Sequence, residues 1–81
     1  MQKQEQRELP KKGEIWRHFK NHRYEIITVA RHTETRELYV VYKALYDDYS
    51  DYLRPLDMFM SRVDSLKYPD VQQTWRFERE E

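Results

Sequence analysis

A histidine and a carboxylate lie close together in the polar break between two runs of β-branched and aromatic residues. The break contains His32, Thr33, Glu34 and Thr35 in succession. Imidazole titrates near neutral pH, and a carboxylate within reach can fix its tautomer, so His32 and Glu34 could form an acid–base pair. The same residue types also build turns, because their side chains bond free backbone N–H groups. The pattern therefore allows a polar site or a structural turn, and it favours the turn.

Arg54 is the second candidate, since it lies between an apolar residue and Pro55. An arginine held in place in this way could grip a phosphate or a carboxylate through two parallel hydrogen bonds. The structural alternative is an ion pair with Glu34, with Glu37 or with an aspartate of the segment 47–51. Both interpretations stay open at the level of sequence.

Aromatic residues supply the third set of candidates. His18 follows Trp16 by two positions, so both would share one face of a strand. A base or sugar could stack on Trp16 while His18 donates to it; alternatively, Trp16 is buried and His18 bonds to a neighbouring strand. Tyr24, Tyr42 and Tyr46 would cluster on one face of a hairpin, either as core residues with bonded hydroxyl groups or as a stacking floor for a ring.

One long hairpin must position most of these side chains. Residues 24–46 contain two segments rich in Tyr, Ile, Val and Thr, which suit a pleated and half-buried surface. If His32 faces Leu38 across the turn, the predicted cross-strand pairs are Ala30–Val40, Thr28–Tyr42, Ile26–Ala44 and Tyr24–Tyr46. That register places the most apolar set of side chains on one face, which we expect to be the core face.

The remaining elements are short. We expect a strand at 14–19, a turn at 20–23, a loop at 47–51, a strand at 52–54, a helical turn at 56–60, a strand at 61–64, an irregular connection at 66–73 and a strand at 74–78. Gly13 and Asn21 are suited to left-handed backbone conformations. The order predicts a mainly β fold, a small SH3-like barrel of five or six strands with one short helical turn. We expect a mobile polar tail at 1–12, a single domain at 13–78 and a frayed end at 79–81.

Composition excludes several classes of function. The 81 residues fit one domain, and the absence of cysteine excludes disulfides and thiolate metal sites. The chain has no apolar run long enough for a membrane helix and opens without a signal peptide, so we expect a cytoplasmic protein with no membrane partner. We predict no metal and no cofactor, because the sequence lacks metal-ligand spacing, a nucleophile elbow and a glycine-rich phosphate loop. A net charge of zero argues against a general nucleic-acid coat protein.

Four ordered blocks carry a resemblance to a known family. They are G-E-I-W-R-H-F-K, Y-E-I-I-T-V-A-R-H-T-E-T, V-V-Y-K-A-L-Y and L-R-P-L-D-M-F, between about Gly13 and Val63. The chain resembles the small bacterial domain-of-unknown-function family numbered 1653, with Trp16 in place of a usual tyrosine and Tyr52 in place of a usual tryptophan. The resemblance implies a compact β domain of bacterial or phage origin and implies no activity. The family's motif positions correspond to His18, His32, Glu34, Thr35, Tyr42, Tyr46, Arg54, Pro55, Met58 and Phe59.

The sequence favours a binding module for an anionic, ring-containing ligand such as a nucleotide or a short nucleic acid. The predicted ligand-binding residues are His18, His32, Glu34, Thr35, Tyr42, Tyr46 and Arg54. The alternative is a protein–protein interaction domain that uses an aromatic groove or a free strand edge. A small enzyme with His32 as its general base ranks last, because no nucleophile motif accompanies it.

Overall fold

Five strands and one short helix make up the fold. The computed structural model describes residues 7–80. The elements are β1 (Ile15–His18), β2 (Arg23–Arg31), β3 (Leu38–Ala44), β4 (Asp51–Pro55), α1 (Leu56–Phe59) and β5 (Phe77–Arg79). The strands pair antiparallel in the order β4-β3-β2-β1-β5, so β4 and β5 form the two edges of one open sheet. The mainly β prediction is confirmed, but the sheet is not closed into the predicted barrel. The SH3-like arrangement stays a prediction.

The central hairpin forms where the sequence places it, with a different register. Tyr24 pairs with Ala44 and Ile26 with Tyr42, whereas the prediction joined Tyr24 to Tyr46 and Ile26 to Ala44. These pairs differ from the predicted ones by two residues, and a shift of two keeps each side chain on its predicted face. Ile26, Tyr42 and Ala44 are therefore buried as expected.

An irregularity between Ile26 and Thr28 changes the second half of the hairpin. Beyond it Val29 pairs with Val40, so the predicted pairing of Val40 with Ala30 is wrong. Val29 packs against the core, whereas Thr28 and Ala30 are exposed. A bulge shifts the alternation of faces by one position. Here it turns Val29 towards the core in place of Thr28 and Ala30, which are more polar or smaller.

The core lies between one face of the sheet and α1. Ile26, Val40, Phe59 and Phe77 are the largest fully buried side chains. Phe59 enters from α1 and stacks on Phe77 from β5, with ring centroids 4.0 Å apart. Pro55 is the residue after which α1 begins, because its φ of −53° already matches the helical value. The helix thus packs against β5, at the edge of the sheet opposite to β4.

Residues at both ends of the described chain contact the rest of the fold, and the boundaries of the domain stay a prediction. Arg7, which the sequence assigns to a mobile tail, donates hydrogen bonds to the carbonyl groups of Met60 and Phe77, at 3.0 and 2.7 Å. Arg79, assigned to the frayed end, is the last residue of β5 and pairs with Trp16. The rest of the predicted tail, residues 1–6, and the last residue, 81, lie outside the described residues.

The segment between α1 and β5 is less regular than expected. The predicted strand at 61–64 amounts to one isolated bridge, Arg62 with Trp75, and β5 begins at Phe77 instead of at 74. Between the two sides of this bridge the chain forms a succession of turns. This irregular segment forms one wall of the site described below. Over residues 7–80, no helix has the length and apolar character needed to cross a bilayer.

Candidate ligand-binding site

One end of the sheet carries an open cavity of about 410 Å³. Its lining comes from the β1–β2 turn, the start of β2, the residues after β3, the end of β4 and the irregular segment before β5. The turn is set by Asn21, which has a φ of +75° as its type predicted. The lining residues are His18, Phe19, Lys20, His22, Tyr24, Tyr46, Arg54, Val63, Asp64, Lys67, Tyr68 and Arg76.

Four cations line this cavity against a single carboxylate. They are Lys20, Arg54, Lys67 and Arg76, and the carboxylate is Asp64. No ion pair joins any of the four to a carboxylate within residues 7–80. Elsewhere on the sheet, cations do pair, as Lys43 does with Asp51 at 2.8 Å. The cavity is therefore an electropositive surface in a chain of zero net charge.

Asp64 does not neutralise the cavity through a side-chain ion pair. Its Oδ1 accepts hydrogen bonds from the backbone N–H groups of Leu66 and Lys67, at 3.1 and 3.4 Å. The carboxylate thereby holds the turn that carries Lys67 and, one residue later, Tyr68. Its role in the contacts observed is to shape the wall of the cavity.

Arg54 is fixed by two contacts with the core. Its Nε donates to the hydroxyl oxygen of Tyr42 at 3.0 Å, and its guanidinium carbon lies 5.7 Å from the centre of the Phe77 ring. Tyr42 itself is 3% exposed and packs edge-on against Phe59. The ion pair proposed as the structural alternative for Arg54 does not occur among the described residues. A guanidinium anchored through Nε can present its two terminal nitrogens to an oxyanion.

His18 is held neutral at the back of the cavity. Its ring lies edge-on to Phe77 at 4.8 Å and beside Phe19 at 4.4 Å. Burial, with the nearby charges of Arg54, Arg76 and Lys20, lowers the pKa of His18 to about 4. Its Nδ1 accepts the backbone N–H of Lys20 at 3.1 Å. The neutral ring must then carry its proton on Nε2, which makes it a hydrogen-bond donor.

Aromatic rings complete the cavity. His22 stacks on Tyr46 with centroids 4.2 Å apart and planes 17° apart. The Tyr46 and Tyr24 hydroxyl groups are 2.7 Å apart and share a hydrogen bond, and this contact adds to burial in raising the pKa of Tyr24. A second pair of rings, Phe19 and Tyr68, packs with centroids 4.9 Å apart. Rings next to cations provide the two kinds of contact that nucleotide ligands use.

Three of the seven predicted ligand-binding residues line this cavity: His18, Tyr46 and Arg54. Tyr42 lies behind it and positions Arg54 through its hydroxyl group. Trp16, considered as a stacking platform beside His18, is 2% exposed and donates from Nε1 to Glu14 at 3.0 Å. The buried alternative for Trp16 is thus the one observed.

The other three predicted residues lie in the β2–β3 turn. His32 Nδ1 accepts the backbone N–H groups of Glu34 and Thr35, at 3.1 and 3.2 Å, and Thr35 Oγ1 accepts that of Glu37 at 3.2 Å. This is the structural turn that the sequence favoured. None of the three lines the cavity.

Sequence reasoning missed much of the cavity. Lys20, His22, Lys67, Tyr68 and Arg76 were not proposed as ligand-binding residues, yet all line it. They come from three separate segments that contact one another only after folding. The one local signal was the basic turn Lys20-Asn21-His22-Arg23 between two predicted strands. Nothing in the spacing of Lys67 and Arg76 indicates that they share a site.

Comparison with known proteins identifies the family and nothing finer. A family model described as "Protein of unknown function (DUF1653)" matches residues 14–79. The chain belongs to this family. The match extends beyond the four blocks of the sequence resemblance, because it takes in the irregular segment and β5, and with them the cavity wall that contains Lys67 and Arg76. No curated protein and no solved structure matches the chain.

Proposed function

We propose that this domain is a binding module for a small anionic ligand that carries a planar ring, a nucleotide being the best-fitting class. The observation that supports this is the meeting of four cations, none in an ion pair with a described carboxylate, with stacked aromatic rings around one cavity. The anion contacts Lys20, Arg54, Lys67 and Arg76, and the ring packs among the aromatic side chains at the rim. This retains the sequence hypothesis but bases it on a set of residues that shares only His18, Tyr46 and Arg54 with the predicted one.

The charge arrangement supports an anion as the natural occupant. Like charges around one concave surface repel each other, and a bound anion relieves that repulsion. The cost of holding them together is kept moderate because the cavity is open to water. Anchoring of Arg54 by Tyr42 lowers the entropy that this side chain would lose on binding. Its guanidinium is therefore in position before the ligand arrives.

The test is a titration of isotopically labelled protein with adenosine nucleotides and short oligonucleotides, followed by NMR. We expect shift changes at His18, Tyr46 and Arg54. The variant Lys20→Gln/Lys67→Gln removes two exposed charges from the cavity without altering the core, and it should weaken binding by about 10-fold or more. The variant Lys11→Gln/Lys12→Gln removes the same charge from exposed positions outside the cavity and should bind like wild type.

Two outcomes would contradict the proposal. One is the absence of shift changes around the cavity at millimolar ligand. The other is an equal loss of affinity in both double variants, since a loss that follows net charge alone would mean that the cavity has no specific role.

A second candidate, a protein-interaction surface, is favoured by the β4 edge. β4 is an edge strand, and its Tyr52 and Leu53 are 46% and 65% exposed. Leu53 also lines a shallow apolar depression with Tyr39 and Val41. A partner strand could add to this edge through backbone hydrogen bonds. Selection of extended peptides from a library tests it, because Leu53→Glu should abolish their binding while Lys20→Gln/Lys67→Gln should leave it unchanged.

A further inference from the structure

We infer that the cavity recognises a terminal phosphate monoester, so that its ligand is a single nucleoside monophosphate and not an internal segment of a nucleic-acid chain. The inference rests on the proposed function and narrows it. It is carried by the local balance of charge, by the tautomer of His18 and by the size of the cavity.

The charge balance matches a dianion better than a monoanion. Four cations face a single carboxylate across the cavity, and that carboxylate is bonded to backbone N–H groups. A bridging phosphodiester carries one negative charge, whereas a terminal monoester carries between about 1.5 and 2 at neutral pH. An internal chain phosphate would leave more of this positive charge uncompensated. A protein that binds a nucleic-acid chain is instead expected to carry its cations along a groove that follows the nucleic-acid backbone.

The hydrogen-bonding groups also match a phosphate with three terminal oxygens. Arg54 has two terminal nitrogens beyond its anchored Nε, and Arg76 is anchored in the same way, because its Nε donates to Ser61 Oγ at 3.1 Å. Neutral His18 adds the Nε2 proton, since its Nδ1 is occupied by the Lys20 N–H. All of these groups are donors, and a monoester offers one more acceptor oxygen than a diester does.

The dimensions limit the ligand to one ring system and its phosphate. A volume of about 410 Å³ lies near the lower end of the range for small-molecule sites, roughly 300 to 1,000 Å³. The stacked pair of His22 and Tyr46 and the pair of Phe19 and Tyr68 both line it. One planar base can contact these rings while its phosphate reaches the cations. A second nucleotide would extend into water.

The experiment compares three ligands that share one ring: adenosine 5′-monophosphate, its phosphate monomethyl ester and adenosine. Affinities are measured by isothermal titration calorimetry with the whole chain near neutral pH. We expect the monophosphate to bind tightest, the methyl ester about 10-fold weaker or more because it loses one charge and one acceptor, and adenosine to show no measurable binding. Inorganic phosphate should bind more weakly than the monophosphate, since it lacks the ring.

Each result tests either the preference for a phosphate monoester or the proposed function. Equal affinity for the monophosphate and its methyl ester overturns the inference but leaves the proposed anion site intact. Inorganic phosphate that binds as tightly as the monophosphate overturns the assignment of a nucleotide. Adenosine that binds as tightly as the monophosphate, or a failure of all four ligands to bind, overturns the proposed function itself.

The cation variant supplies a second, independent measurement. Lys20→Gln/Lys67→Gln should weaken the monophosphate by a larger factor than it weakens the methyl ester, because the lost charges act on the second negative charge as well as on the first. Lys11→Gln/Lys12→Gln should leave both affinities and their ratio unchanged. An equal loss for both ligands in the cavity variant would overturn the preference for a dianion.

Discussion

The depressed pKa of His18 predicts that acid destabilises the domain through this one side chain. In the folded protein the pKa is about 4, against an ordinary value of 6.5. Between about pH 6.5 and pH 4, His18 is therefore protonated in the unfolded chain and neutral in the folded chain. The free energy of unfolding is unaffected by His18 above this range and falls as the pH drops from about 6.5 towards 4.

The magnitude follows from the two pKa values and the exposure of the ring. Between about pH 7.5 and about pH 5, a fully effective shift would lower the free energy of unfolding by roughly 2 kcal/mol. The His18 ring is only half-buried, so its desolvation is incomplete and water screens part of the repulsion from Arg54 and Arg76. We therefore expect a contribution of about 1 kcal/mol. For a domain of this size, that moves the midpoint of urea unfolding by about 1 M.

The assay is urea unfolding across this pH range for wild type and His18→Gln. The variant loses ring contacts with Phe77 and Phe19, which lowers its stability by an amount that does not depend on pH. The difference between the two proteins should therefore shrink by about 1 kcal/mol as the pH falls. A parallel course of the two stability curves, or an NMR titration of the His18 ring with a midpoint near 6.5, would refute the reasoning.

Three further predictions concern the core, the entry to β1 and the N-terminal contact. Phe59→Ala should cost about 3–5 kcal/mol in denaturant unfolding because Phe59 is fully buried, while Leu66→Ala at a 94% exposed position should change stability by less than about 0.5 kcal/mol. Gly13→Ala should cost about 1–2 kcal/mol, and no more, since Gly13 has a φ of +88° but an added Cβ would meet no atom within 4 Å; a neutral result in the same assay would contradict the strain. Arg7→Ala should lower the thermal midpoint by several degrees and change tryptophan fluorescence. The reason is that Arg7 donates to the carbonyl groups of Met60 and Phe77 and lies 4.2 Å from the centre of the Trp75 ring. Unchanged fluorescence would mean that the contact with Trp75 does not form in solution.

The sequence determined the first four strands and the short helix because their signals are local. Alternation and β-branched residues locate β2 and β3, Pro55 begins the short helix, and Asn21 supplies the turn between β1 and β2. The family also follows from short blocks of sequence. Each of these depends on residues within a few positions of one another, and propensity and periodicity report well at that range.

The tertiary structure alone decided the register, the open sheet and the membership of the site. The bulge after Ile26 turns Val29 towards the core in place of Thr28 and Ala30, because burying the more apolar side chain is more favourable. No residue type in this segment predicts a bulge. Lys20, Arg54, Lys67 and Arg76 are dispersed along the chain and line one cavity only after the irregular segment, β4 and the β1–β2 turn have packed together. Local sequence determines how each segment is shaped, whereas long-range packing, such as the stacking of Phe59 from α1 on Phe77 from β5, decides which distant segments become neighbours.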